Sequence, residues 1–213
     1  MPPLEKHSHF YYNVSIRKEL TYMDFLSLVK KSRSFRSFDE SKPVSRETLE
    51  ALIGFARFAP TGVNLQELKY FLSNTPETNS VIQPLTRWAG KIKDKYKLPP
   101  VGHMPTAFIL ILVDTDIMPD PEKAKTDVGI AAQTILLGAA SMGLGGCMIG
   151  SFDRSVREAL SLPENLAPAL VVALGTPDEE IILEDKADKV DYYRDENGVH
   201  RVPKRSVEEL IVG

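Results

Sequence analysis

Two rhythms of apolar residues divide the chain. At Phe25, Leu26, Leu28 and Val29, and again at Leu49, Leu52, Ile53 and Ala56, they return every three or four residues, the spacing of one helix face. Ser45 is placed to cap the second helix, read as Arg46–Phe58, with Glu47 in its first turn, and Ala59-Pro60-Thr61-Gly62 ends it. The other rhythm is continuous: Ala107–Val113 is apolar throughout and suits a central strand buried on both faces. Tyr70–Ser73 and Ala169–Leu174 read as further strands, the latter closed by Gly175-Thr-Pro177. Asp127–Met142 is apolar almost all round and predicts a core helix, broken by Gly143-Leu-Gly-Gly146 before an extended Cys147–Gly150.

Shorter segments complete the pattern. Asn79–Tyr96 predicts a helix interrupted by Pro84, and Arg154–Leu160 a short one stopped by Leu162-Pro163. Asp178–Lys204 is polar and turn-rich, with a turn at Asp195–Gly198, and Ser206–Val212 predicts a last helical turn. Residues 1–22 hold His7, His9, Phe10, Tyr11 and Tyr12 without sustained periodicity, so they read as an N-terminal extension to a domain spanning 23–213. Strands between longer helices indicate a layered α+β or α/β domain.

Composition narrows the function. With 26 Lys+Arg against 29 Asp+Glu the chain is slightly acidic, which argues against a general nucleic-acid partner. The longest apolar run is far below the roughly 18 residues of a membrane span, and Met1–Leu20 has no apolar signal core. A reducing, cytoplasmic setting is expected. The single cysteine, Cys147, excludes an internal disulfide and a Cys-rich metal site.

Three segments could carry chemistry. Arg33, Ser34 and Arg36 read either as a solvated helix end or as donors for a phosphate, to which Lys204-Arg205 could add charge. Pro60–Gln66 reads either as a surface turn or as a loop whose amides and Asn/Gln groups bond a polar aromatic edge. Gly143–Gly150 is not a dinucleotide fingerprint, because Met148 stands where the third glycine belongs and the loop follows a helix. A helix cap explains one or two of its glycines, and close approach to a flat ligand is the expected reason for the others. His103, His200 and Cys147 form no acid–base or nucleophile set in sequence, which assigns the chemistry to a cofactor.

In order along the chain, these segments resemble the FMN-dependent nitroreductase family. The similarity covers about residues 23–213. Ser32-Arg-Ser-Phe-Arg-Ser-Phe38 is similar to the family's opening Arg-Arg-Ser-x-Arg-x-Phe, and Ala59-Pro-Thr-Gly-Val-Asn-Leu-Gln66 to its Ala-Pro-Ser-x-x-Asn-x-Gln loop. Gly143-Leu-Gly-Gly-Cys-Met-Ile-Gly150 resembles its Gly-Leu-Gly-x-x-x-x-Gly segment, and Leu174–Pro177 with Lys204-Arg205 its closing strand and basic tail.

The resemblance implies a homodimeric α+β sandwich, with a central, mostly antiparallel sheet flanked by helices and FMN in the subunit interface. It implies that Arg33, Ser34, Lys204 and Arg205 hold the phosphate and ribityl chain, and that Arg36 lies near the N1/O2 edge of the flavin. Met148, Ile149 and Gly150 would flank the ring, with the Ile149 and Gly150 amides facing N5. Pro60, Thr61, Gly62, Asn64 and Gln66 would reach the FMN of the other subunit. The implied reaction passes hydride from NADH or NADPH through N5 to a nitroaromatic, quinone or similar small-molecule acceptor. Dehydrogenation, reductive dehalogenation and non-catalytic flavin binding are the alternatives on the same fold. Two departures stand out: Ser32 replaces the family's first arginine, and Glu67-Leu68 replaces its Pro-Trp. The variable Pro76–Met104 stretch is expected to shape the substrate pocket.

Overall fold

The computed structural model describes residues 25–90, 95–186 and 188–213. The 1–22 extension, with His7, His9 and the Phe10–Tyr12 cluster, lies outside the described residues.

Four antiparallel strands form the central sheet, in the order β1 (Leu68–Ser73), β2 (Ala107–Asp114), β4 (Leu166–Gly175), β3 (Gly145–Ile149). The unbroken apolar run becomes β2 because both its faces are covered. Ala107, Ile109, Ile111 and Val113 pack beneath helices α2 (Arg46–Ala56) and α4 (Lys125–Ser141). Phe108, Leu110 and Leu112 enter a second core with Phe38, Ile82, Trp88 and Val156. The result is the α+β sandwich implied by the resemblance.

Local chemistry sets the helix ends. The Ser45 hydroxyl accepts the Thr48 amide at 3.2 Å to start α2. Thr75 caps α3 (Pro76–Ile82) in the same way, with Pro76 at the first helical position, where its missing N–H costs nothing. Helix α1 (Phe25–Lys31) precedes them, and Val156–Ala159 forms the short α5. Ser206 and Glu209 close a capping box on α6 (Val207–Leu210).

Two expectations need correction. The helix expected over Asn79–Tyr96 ends at Ile82, because Pro84 belongs to a 3-10 turn over Gln83–Leu85 and Thr86 then bridges to Phe152. The Asp178–Lys204 tail is not only turns. It holds a three-stranded sheet in which β5 (Ile181–Asp185) pairs in parallel with β7 (His200–Lys204), and β6 (Tyr193–Arg194) pairs with β7 on its other side. Charged residues within these strands mask their period in the sequence.

The glycine loop is also explained differently. Gly143, at φ +77°, is the left-handed helix cap. Gly145 and Gly146 are needed by the protein's own packing. A Cβ on Gly145 would lie 2.5 Å from the Phe35 ring and 2.6 Å from Pro177, and one on Gly146 would lie 2.6 Å from the Ala173 carbonyl. We therefore expect Gly146→Ala to destabilise the fold by about 1–3 kcal/mol through overpacking. Urea unfolding should show this, whereas Gly143→Asn, which keeps a left-handed cap, should cost less.

Candidate functional site

The small sheet, α4 and the Ser32–Arg36 segment enclose a cavity of about 340 Å³. Ser32, Arg33, Ser34 and Arg36 form one wall, Gln133, Leu136 and Met148 another, and Ile181, Tyr192, His200, Val202 and Lys204 the third. The first wall is fixed by hydrogen bonding to the free edge of β3: Ser34 bridges Gly146, and the Phe35 amide donates to the Gly146 carbonyl at 3.0 Å.

The charges around this cavity are unbalanced. Arg33 donates to the Val29 carbonyl at 2.8 Å through Nη2, yet its Nε is buried without a partner. Burial lowers the pKa of its guanidinium, but arginine remains charged at physiological pH. Arg36 donates to the Ser34 carbonyl at 3.1 Å and lies 5.3 Å above the Tyr192 ring, and its Nε is likewise buried and unpartnered. Glu179 accepts the Arg36 backbone amide and pairs with Arg194. None of the described residues lining the cavity is acidic. Two buried N–H donors, Lys204 and Ser34 at an acid-free wall suit an anionic phosphate ester, so the residues present fit the phosphate-bearing group that the resemblance implies.

His200 and Tyr192 were not singled out by sequence as site residues, and their signal was hidden in the polar tail. Their rings lie 5.3 Å apart, and His200 is 2% exposed with Nδ1 unpartnered. Burial, then the charges of Arg36 and Arg194, lowers its pKa to about 4.

Of the expected residues, Arg33, Ser34, Arg36, Met148 and Lys204 line this cavity together. Arg205 does not, because its guanidinium turns to Glu209 at 3.4 Å. Gly150 lies just past β3 and is exposed. The Ile149 amide requires a correction. The Gly146 carbonyl points away from β4 to Phe35, so by strand alternation the Ile149 amide points inward onto its partner Val171. The Met148 amide takes the free edge.

Pro60, Thr61, Gly62, Asn64 and Gln66 lie elsewhere. Thr61 and Gln66 line a second cavity of about 290 Å³ with Arg57, Tyr70 and Asp127, and none of the five lines the first. This loop is strained: Val63, Asn64 and Gln66 have φ of 48°, 58° and 56°, which costs on the order of 1 kcal/mol each for residues with a Cβ. It is held by Gln66 N–H on the Thr61 hydroxyl at 3.2 Å and Gly62 N–H on Asp127 Oδ2 at 2.9 Å. Val63 is 96% exposed at its tip.

The sequence profile of the nitroreductase family matches residues 29–176. The chain belongs to the nitroreductase family. A protein of Methanothermobacter thermautotrophicus, provisionally named NADH dehydrogenase/NAD(P)H nitroreductase, is 28% identical over 80% of this chain and 86% of its own. A nitroreductase family protein from Clostridium difficile 630 superposes with a TM-score of 0.58 at 27% identity, covering 74% of this chain and 86% of that one. A Desulfovibrio desulfuricans structure of the same fold, solved in complex with FMN, gives a TM-score of 0.64 at 23% identity over 88% and 95% of the two chains.

The fold favours neutral His200, a preference without effect above its ordinary pKa of 6.5 that grows as pH falls toward 4. We expect stability to drop by about 2 kcal/mol between pH 7 and pH 5 from this group alone. Urea midpoints at the two pH values should show that difference shrink in His200→Gln.

Proposed function

We propose that the Arg33–Arg36–Lys204 cavity binds the phosphate and ribityl chain of FMN. In this reading the chain is an oxidoreductase that takes hydride from NADH or NADPH and reduces a nitroaromatic, quinone or similar electrophile. The observation that carries this is the pair of buried, unpartnered guanidinium donors at the wall of an acid-free cavity. Family membership and the FMN complex of the Desulfovibrio protein support it. The paired name of the Methanothermobacter relative supports the nicotinamide reductant.

When bound, FMN supplies the hydride-accepting centre. Arg33, Ser34 and Lys204 anchor its anionic end, and Arg205 assists only by leaving Glu209. Arg36, braced by Ser34 and the Tyr192 ring, supplies fixed positive charge where the ring gains electrons. The amide of Gly150, just past the end of β3, is the donor that the resemblance sets beside it. No candidate acid or base is needed from the protein for the hydride itself.

The cavity of about 340 Å³ is near the lower limit for a small-molecule site, and the strained Pro60–Gln66 loop stands apart from it. Both observations support a homodimer in which that loop completes the cavity of a second copy. Phe58, 80% exposed, and Val63 would supply apolar contact there. No described helix is long and apolar enough to cross a membrane, and we retain a cytoplasmic setting as part of the proposal.

Purified protein should be yellow, sediment at twice 23.7 kDa, and lose its flavin absorbance when NADH or NADPH is added without oxygen. Protein that stays colourless with added FMN overturns this reading. Arg33→Ala should weaken FMN at least tenfold, the effect of one charge-assisted donor lost, while riboflavin, which has no phosphate, changes less. Arg205→Ala should have the smaller effect of the two, as fluorescence titration would measure. A panel of acceptors for the reduced enzyme separates nitroreductase from dehydrogenase or dehalogenase chemistry, and FMN binding without turnover would mark a flavin carrier.

A further inference from the structure

Glu67 follows the Pro60–Gln66 loop at the position where the resemblance has a proline. It is fully buried, and neither of its carboxyl oxygens is hydrogen-bonded by an N–H or O–H of another residue. An ionised carboxylate held so would be strongly disfavoured. The group it faces is the carboxyl of Asp127, in the first turn of α4. Two carboxyls in contact attract each other only with a proton between them.

Tyr70, on β1, is pushed up by burial and by the charge of Glu67, and Arg57, from the end of α2, lines the adjoining cavity with Asp127 and Tyr70. Burial raises the pKa of Glu67 most and Asp127 adds to it, against an opposing backbone hydrogen bond. Asp127 Oδ2 also accepts the Gly62 amide, one residue before the chain turns left-handed at Val63.

We propose that Glu67 is a positioning residue for this loop: Glu67 and Asp127 share one proton, and that proton keeps Asp127 on the Gly62 amide and the loop in its strained form. Loss of the proton brings two negative charges into contact. Asp127, the more accessible of the two, then turns to water and releases Gly62. The consequence for flavin rests on the proposed function, because only there does the loop complete a second copy's site. The order of the loop itself needs no cofactor.

The test is hydrogen exchange of the peptide spanning the loop, read as a protection factor so that the intrinsic pH dependence cancels, from pH 5 to pH 9 on protein with and without FMN. Protection in the wild type should fall at least tenfold on the alkaline side. Glu67→Gln carries a permanent N–H donor and should keep its protection across the range. Asp127→Asn, which accepts from Gly62 and donates to Glu67, should do the same and serves if the first variant folds poorly. A wild-type profile without a fall, or the same fall in both variants, overturns the proposal. If the loop is released with the expected profile while FMN affinity stays constant, the shared proton stands and the placing of this loop at a flavin site falls.

Discussion

The contact on which the site depends is between two phenylalanine rings and a stretch of sheet that lacks side chains. Phe35 lies against Gly145, and Phe38 against Gly175 at 2.8 Å from where a Cβ would stand. The rings can reach the sheet only because those positions are glycine. Once they do, the Ser34–Gly146 and Phe38–Pro177 bridges fix the segment between them. Arg33, Ser34 and Arg36 alternate with or precede the anchored residues, so the core holds the polar groups at the cavity wall. Precision in the site therefore comes from apolar packing behind it, more than from bonds among the polar residues.

Electrostatics adds the second layer. A site for an anion must hold positive charge before the anion arrives, and that charge is costly to bury unpaired. Here the cost is contained in three ways. Glu179 pairs with Arg194 and takes the backbone amide of Arg36, the Tyr192 ring lies under the Arg36 guanidinium, and His200 stays neutral. The last follows from burial first and then from the Arg36 and Arg194 charges, to whose repulsion an imidazolium would add. The opposite problem arises at Glu67 and Asp127, where two acids rather than several bases are brought together.

How much of this was legible in sequence depended on range. Ser45 and the Ser206–Glu209 box act over three residues, so the helix starts they set can be read locally, whereas the start that Thr75 sets at Pro76 lies three residues ahead of the expected Asn79. The apolar Ala107–Val113 run and the all-round apolar α4 announce burial directly. By contrast, the strands of the tail pair across an intervening loop, and β7 has only Val202 as a plain apolar signal. Tyr192, Arg194 and His200 acquire meaning only once β5 and β7 lie side by side.

The glycines show the same division. Sequence alone determined that a helix ends at Gly143, that an extended segment over Cys147–Gly150 follows the glycines, and that basic and hydroxyl groups at Ser32–Arg36 could serve an anion; each follows from residue chemistry over a few positions. Tertiary structure alone decided that Gly145 and Gly146 make room for Phe35 and a neighbouring carbonyl. It also decided that the Ile149 amide faces the sheet, that Arg205 faces Glu209, and that the Pro60–Gln66 loop stands away from the cavity of its own chain. Those outcomes depend on which surfaces meet, and a linear pattern contains no information on a contact until its two sides have been folded together.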